Sequence, residues 1–334
     1  MMVNGKSLIM HFFHKLNKTA LNCICLLYQK AIKPAVVSPA AWCFAAIWAA
    51  AAIYLLATGH VFWVVRCAGY LVLTLVFSVF TVALTQPEHE SEAELSRTRR
   101  SSLLMQVAVI IFFIVITGYQ SLMYHGMVRH ASIPLWTPVI RAFGKLGEQL
   151  FNSDIVGNSF LALANPAEYF LLPLPFLLLV GARFRKLGFE RGHRTWRVLA
   201  LWLFVPAILL ISQFSSGRLT LGIFGRRLVS NSLQSGFFEE FLYRGALQTR
   251  LRVFFSSSWA IVLQALAFGI WHLGIGYRET GGQDIIAGAA SAIIIRAMAG
   301  LAFGIIFQRT RNLLACSVFH VITNCVFIES SLWR

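Results

Sequence analysis

Long runs of apolar residues, separated by short polar stretches, dominate the chain. Because a helix needs about 20 mostly apolar residues to cross a bilayer, each run close to that length predicts a membrane span. The runs lie at 40–58, 61–84, 103–124, 167–182, 196–213, 228–246, 259–275, 285–307 and 312–328. The pattern therefore predicts an all-α, polytopic transmembrane helical bundle with about eight or nine spanning helices.

The stretches outside these runs suggest how the chain is divided. Residues 1–38 interleave lysines with apolar positions, which is typical of a basic amphipathic helix on a membrane surface. We expect residues 39–182 to form an N-terminal transmembrane region. Within it, residues 125–165 are less apolar and predict an extramembrane or re-entrant insertion. Residues 183–334 then form a second, C-terminal helical core.

Composition agrees with a membrane protein. The chain of 334 residues is 57% hydrophobic and 13% charged, and its mean hydropathy is +0.69. That leaves too few charges to cover a soluble globule, so the lipid bilayer is the expected environment. The net charge of +16 comes mainly from Lys and Arg between the apolar runs. This distribution indicates membrane topology rather than a nucleic-acid partner. We expect a multi-pass protein of the bacterial inner membrane.

One predicted span carries charges that a bilayer disfavours. The stretch SGFFEEFLYRGALQTR contains Glu239, Glu240 and Arg244, and an ionisable side chain near the midplane costs about 2.5–3.5 kcal/mol. Neighbouring side chains on a helix diverge by about 100°. Glu240 and Arg244, four residues apart, are placed to form an ion pair, which leaves Glu239 free to face a cavity. The alternative is a buried ion pair with one additional carboxylate at a helix interface.

Two later spans each place a pair of side chains on one helix face. In FGIWH, Phe268 and His272 are four residues apart, and in HVITN the same spacing joins His320 to Asn324. Each pair alone is typical of an interhelical contact. Together with Glu239, they bring one carboxylate, two imidazoles and one carboxamide into three helices that are close in sequence.

This set of groups suits hydrolysis of an amide bond. A carboxylate in a low-dielectric pocket can act as a general base toward water near neutral pH. One histidine can share that water or protonate the departing amine. A second histidine and an asparagine can donate to the oxyanion of a tetrahedral intermediate, which is worth about 2.7–4 kcal/mol per donor. The pattern predicts peptide hydrolysis without a Ser or Cys nucleophile.

The pieces EEFLYR, FGIWH and HVITN resemble the EExxxR, FxxxH and HxxxN motifs of the CPBP family. This is the CAAX-protease and bacteriocin-processing (Abi/Rce1-like) family of intramembrane glutamic proteases. Order and spacing match over residues 183–328, including an LGF element at 187–189. Residues 1–180 lie outside the resemblance and are candidates for substrate selection.

The resemblance implies an intramembrane endopeptidase that cleaves a membrane-associated or exported protein or peptide. By position, it assigns Glu239 and His272 to activation of the water. It assigns His320 and Asn324 to the oxyanion hole.

The resemblance also implies supporting roles for nearby residues. These fall to the Glu240–Arg244 pair and to Phe268. Arg296, in SAIIIRAMAG, is a further charged residue within a predicted span and a candidate for a supporting role. Arg296 either neutralises Glu239 or a substrate carboxylate, or it forms a local ion pair.

The expected mechanism needs no cofactor. The chain contains no HExxH motif, and the amide of Asn324 is a poor ligand for zinc. Zinc held by the two histidines and two glutamates is the alternative, which would make the protein a metalloprotease.

Two non-proteolytic functions remain as alternatives. A non-catalytic immunity-type or scaffolding protein of the same fold has no need to keep all four polar groups. A transporter would use the glutamates and arginine as a relay, but the two halves of the sequence show no internal repeat or paired broken helices.

Overall fold

The structure is a computed structural model that describes Cys25 and residues 28–85, 99–129 and 131–327. Most of the predicted amphipathic segment 1–38 therefore lies outside the described residues. Its last part forms two short helical turns, Tyr28–Ile32 and Lys33–Val36.

A bundle of helices makes up the fold. In chain order they are α1 (Pro39–Ala57), α2 (Val61–Leu84), α3 (Arg100–Tyr124), α4 (Trp136–Leu150), α5 (Leu161–Leu179), α6 (Thr195–Ser215), α7 (residues 221–254), α8 (Ser257–Trp271), α9 (Leu273–Glu279), α10 (Ile285–Thr310) and α11 (Leu313–Phe327). The described residues are 82% helical and contain no β-strand. The all-α prediction is confirmed.

Six of these helices are long and apolar enough to cross a membrane, or seven if α8 and α9 together form one span. The sequence pattern predicted about eight or nine. The difference lies in the C-terminal core, where α8 and α9 meet at a bend of 54°. In addition, α7 carries internal charges, and α11 has 15 described residues, fewer than a span needs.

Several helix starts follow from the capping residue in front of them. The side-chain oxygens of Ser38, Thr220, Ser256 and Asp284 accept hydrogen bonds from backbone N–H groups in the first turns of α1, α7, α8 and α10. These residue types satisfy N–H groups that otherwise have no partner at a helix start. Pro39 fits the first position of α1 because that position needs no N–H donor.

Helix α4 shows how the predicted insertion folds. Its buried face carries Trp136, Ile140, Gly144 and Gly147 at helical spacing. A Cβ atom on Gly144 would lie 2.0 Å from the ring of Phe160, so only glycine permits this approach. The insertion therefore packs against the start of α5 instead of standing apart from the bundle.

The segment that follows α4 is tied to α7. Asn165 Nδ2 donates to the backbone oxygen of Gln234 at 2.8 Å, and Gln234 Nε2 donates to the backbone oxygens of Val156 and Asn158. The insertion thus contacts α7 one turn before Glu239.

The largest hydrophobic core lies where α3, α5 and α6 meet the C-terminal helices. It contains Phe113, Trp202, Leu242, Phe268 and Phe303 among its buried side chains. A separate cluster packs α1 and α2 against α10. The C-terminal helices α7, α8, α10 and α11 therefore occupy the centre of the packing.

Candidate active site

Helix α7 changes its winding on both sides of the two glutamates. The segments Ser232–Gly236 and Phe241–Gln248 are π-helical, and Phe237–Glu240 between them is α-helical. Short π-helical segments re-aim side chains and often occur at functional sites. Gly236 also brings α7 close to α11, since a Cβ atom there would lie 2.2 Å from Val321 Cγ2.

Glu240 is the centre of a buried charged cluster. Its Oε1 lies 3.1 Å from Nη1 of Arg244 and 2.8 Å from Nδ1 of His320. The side chains of Glu240 and Arg244 are completely buried. The predicted Glu240–Arg244 ion pair is therefore present, whereas the contact with His320 was not predicted from the sequence.

Aromatic rings enclose this cluster. The guanidinium carbon of Arg244 lies 4.4 Å from the ring centroid of Phe268 and 5.0 Å from that of Phe303. The ring of His320 stacks on Phe303 with centroids 4.6 Å apart. A cation over an aromatic face is stabilised when water is excluded. Phe268 therefore packs its ring face against the buried guanidinium of Arg244.

Glu239 lies near His272, and its Oε2 forms no hydrogen bond to this cluster. The distance from Glu239 Oε2 to His272 Nε2 is 3.9 Å, too long for a direct hydrogen bond. Glu239 is only 7% exposed, yet Oε2 has no hydrogen-bond partner among the described residues. The two adjacent glutamates therefore differ at one oxygen: Oε1 of Glu240 contacts Arg244 and His320, whereas Glu239 has the longer contact with His272. Oε2 of Glu240 is, like Oε2 of Glu239, buried without a hydrogen-bond partner among the described residues.

The contacts of His272 define its tautomer. Its Nδ1 lies 2.8 Å from the backbone oxygen of Phe268, which can only accept, so the hydrogen must be on Nδ1. In the neutral ring, Nε2 is then an acceptor that faces Glu239.

The position of His272 is set by the bend between α8 and α9. Its neighbour Trp271 donates from Nε1 to Oγ1 of Thr117 on α3 at 2.9 Å. Gly269, on the preceding turn, lets α8 approach α10, because a Cβ atom would lie 2.6 Å from Ala297 Cβ. Contacts on two sides therefore hold the turn that carries His272.

Asn324 lies beside the turn of α7 before the glutamates. Its Nδ2 donates to Ser235 Oγ at 3.3 Å, and Ser235 donates to the backbone oxygen of Asn231 at 3.2 Å. One N–H of the Asn324 amide remains for another acceptor. Ser235 was missed in the sequence analysis, although its position four residues before Glu239 places it on the same helix face.

Arg296 binds a glutamate other than Glu239. It forms a two-pronged ion pair with Glu279, with N–O distances of 2.5 and 2.6 Å. Of the two expectations for Arg296, the structure supports the local ion pair. The pair links the π-helical segment Ile293–Ala297 of α10 to the end of α9.

Two glutamines near the cluster were also missed. Gln264 Nε2 donates to the backbone oxygen of Gly300, and Gln248 Nε2 donates to that of Gly304, both at 2.9 Å. Both side chains are completely buried. They join α7 and α8 to α10, and a polar residue in an apolar run is the signal that could have identified them.

The donors at the site do not fit zinc. Within the described residues, no group of three or more His, Cys, Asp or Glu side chains is arranged to hold a metal ion. Glu240 is engaged by Arg244 and by Nδ1 of His320, which leaves Glu239, His272 and Nε2 of His320. In the described part of the chain these groups are not gathered into a set that could hold a metal ion. A zinc site in a protein uses three or four ligands.

The arrangement offers two kinds of group to a reacting amide. On one side, Glu239 and His272 present acceptors that can hold and deprotonate water. On the other, Asn324 has a free donor, and His320 is oriented by a buried carboxylate. Hydrolysis through a tetrahedral intermediate requires both a general base that activates water and hydrogen-bond donors that stabilise the oxyanion.

One comparison with known proteins finds a similarity in this part of the chain. No curated protein and no solved structure matches the sequence. Residues 222–326, which include α8 to α10 and most of α7 and α11, match the family model described as type II CAAX prenyl endopeptidase Rce1-like. For this segment, the resemblance to the CPBP family of CAAX proteases is confirmed.

Proposed function

We propose that this protein is an intramembrane endopeptidase in which Glu239 activates the hydrolytic water. The observation that carries the proposal is the contrast between the two adjacent glutamates. Oε1 of Glu240 is paired with Arg244 and His320, although its Oε2 has no hydrogen-bond partner among the described residues. Glu239 Oε2 is also buried without such a partner, and it lies 3.9 Å from Nε2 of His272. The family match supports a membrane endopeptidase in general.

The proposed reaction begins with one water molecule between Glu239 and His272. At 3.9 Å, both atoms can accept a hydrogen bond from the same water. Glu239 takes a proton as the water oxygen forms a bond to the peptide carbonyl carbon, and the carbonyl oxygen becomes an oxyanion. When the C–N bond breaks, the proton on Glu239 passes to the departing amine. The products are a carboxylic acid and an amine, and no metal takes part.

His320 and Asn324 are proposed to stabilise the oxyanion. His320 commits its Nδ1–H to Glu240, so it can donate only from Nε2, and only in the imidazolium form. In that form the charges of Glu239, Glu240, Arg244 and His320 sum to zero, which suits a buried site. The free N–H of Asn324 is the second donor.

The substrate is proposed to be a protein or peptide held at the bilayer, because every proposed site residue lies within an apolar helical bundle. The name of the matched family points to a peptide that ends in a CAAX sequence as the first substrate to test. The inner membrane of a bacterium is the proposed location.

The experiment maps new protein N-termini by mass spectrometry. Cells that lack the native protein receive the wild type, Glu239→Gln or the matched control Glu148→Gln, whose side chain is exposed on α4. We expect a set of N-termini that appears with the wild type and the control but not with Glu239→Gln. Identical sets from wild type and a folded Glu239→Gln variant would refute the proposal. A glutamate-dependent proton flux with no new N-termini would instead indicate a transporter.

The purified protein in lipid bilayers tests the metal-independent mechanism separately. A peptide that spans a mapped cleavage site is incubated with protein treated with a strong chelator. We expect the rate to remain unchanged. Loss of activity that returns on addition of zinc would overturn the metal-independent mechanism, while leaving the protease function in place.

A further inference from the structure

Tyr243 lies four residues after Glu239 and therefore on a similar side of α7. Its side chain is 1% exposed. The ring packs edge-to-face on Phe268, with centroids 5.0 Å apart, and on Trp271 at 6.2 Å. Trp271 immediately precedes His272 in sequence. Tyr243 is thus packed among the residues that hold both halves of the proposed water site.

The hydroxyl of Tyr243 is buried and has no hydrogen-bond partner among the described residues. Buried tyrosine hydroxyls usually find a partner. Even Tyr54, which is only partly buried, donates to Asp284 at 2.8 Å. Glu239 Oε2 is also buried without a partner in the described part of the chain, and Glu239 precedes Tyr243 by four residues on α7. An unused donor and an unused acceptor therefore occur one helical turn apart.

The hydrogen-bonding capacity of water gives both the Tyr243 hydroxyl and the Glu239 carboxylate a partner. A water molecule has two hydrogens and two lone pairs. Glu239 and the Nε2 atom of His272 both accept, so they hold the two hydrogens but neither holds the oxygen. One lone pair must point at the substrate carbonyl. A single donor on the other lone pair would fix the orientation of the water.

We infer that the hydroxyl of Tyr243 donates a hydrogen bond to the oxygen of the attacking water, which makes Tyr243 a further catalytic residue. The inference rests on the proposed function. With Tyr243, Glu239 and His272 in place, three of the four hydrogen-bonding positions of the water are taken. The fourth is directed at the carbonyl carbon.

The test substitutes Tyr243→Phe, which removes only the hydroxyl. The variant is purified in lipid bilayers and assayed with a fluorogenic peptide that spans a cleavage site mapped in cells. Because a misplaced nucleophile slows the chemical step, we expect kcat to fall by about 10- to 100-fold. KM should not change, since Tyr243 is expected to contact water and not peptide. The melting temperature should stay the same or rise, because the lost hydroxyl has no partner in the described fold.

Tyr54→Phe is the matched control. It removes a hydroxyl that is bonded in the fold and is remote from the site, so kcat should stay the same and the melting temperature should fall. A Tyr243→Phe variant with wild-type kcat, or one whose loss of activity only follows a loss of folded protein, would overturn the inference. Glu239→Gln, assayed in parallel, separates the two proposals. If it is inactive while Tyr243→Phe is fully active, only the role of Tyr243 fails; if it is active, the proposed function fails.

Discussion

Helices α2 and α10 have similar hydropathy but opposite surroundings. In the most apolar stretch of α2, 17% of residues are buried inside the protein, against 67% in α10. Phe62, Val65 and Val72 of α2 are exposed, whereas Ile294, Phe303 and Ile306 of α10 are buried. The apolar side chains of α2 are therefore solvated by lipid, and those of α10 by other helices.

The difference shows where charged groups can be kept in a membrane protein. Lipid can surround an apolar side chain, but it offers no partner to a carboxylate or guanidinium. Glu240 and Arg244 accordingly lie where α7, α8, α10 and α11 pack together. Apart from the short turn Tyr28–Ile32, the described π-helical segments belong to α5, α7 and α10 in this central region, whereas α1, α2 and α3 are α-helical from end to end. Regular winding suffices where lipid is the neighbour.

The largest expected effect comes from breaking the buried charge pair. Glu240→Gln keeps the shape of the side chain but leaves Arg244 as a buried cation without its counter-ion. We expect a loss of about 3–5 kcal/mol in the free energy of unfolding. The measurement is reversible unfolding in mixed micelles. Glu190→Gln, which breaks the partly exposed pair with Lys186, should cost less than about 1 kcal/mol. An equal loss of unfolding free energy in the two variants would contradict the difference expected between a buried and a partly exposed ion pair.

Two adjacent residues of α3 allow a smaller comparison within one helix. Phe113 is buried against Trp136 and Phe176, and Phe112 is exposed. We expect Phe113→Ala to cost about 3 kcal/mol through lost packing. Phe112→Ala should have little effect, since lipid surrounds that ring in the folded and unfolded states. The same unfolding measurement applies. If Phe112→Ala lost more unfolding free energy than Phe113→Ala, the assignment of Phe112 to the lipid-facing side of α3 would be wrong.

The smallest effect comes from adding one methyl group. A Cβ atom on Gly276 would lie 2.3 Å from the backbone oxygen of Gly288, and a Cβ atom on Gly69 of α2 would meet nothing within 4 Å. We expect Gly276→Ala to destabilise the fold by about 1–3 kcal/mol through overpacking. Gly69→Ala should stabilise it by up to about 1 kcal/mol, because alanine favours a helix. Melting temperatures that shift in the same direction would argue against close packing of α9 on α10.

The sequence was informative about helices and about pairs within one helix. Apolar runs predict the six long spans, and the i, i+4 rule predicts the ion pair of Glu240 with Arg244, because both depend on local geometry. Contacts between distant segments were not accessible in this way. Nothing in the order of residues indicates that His320 binds Glu240, or that Glu279 instead of Glu239 takes Arg296.

The π-helical segments were also beyond sequence reasoning. A π-helical turn is unfavourable in isolation and persists through tertiary packing, such as that of Gly236 against Val321. The winding of α7 decides how Glu239 and Glu240 diverge. Neighbouring side chains on a helix diverge by about 100°, so the sequence predicts that the two glutamates have different surroundings. Which residues surround each glutamate became known only from the structure.

The division of roles between the two glutamates is tested most directly by one measurement on Glu239→Gln. The purified variant is assayed in lipid bilayers for the rate of cleavage of a mapped peptide, and its melting temperature is recorded on the same sample. We expect the rate to fall by about 10²- to 10⁴-fold, as for loss of a general base, with the melting temperature unchanged or raised. Cleavage at the wild-type rate by the folded variant would contradict the role assigned to Glu239.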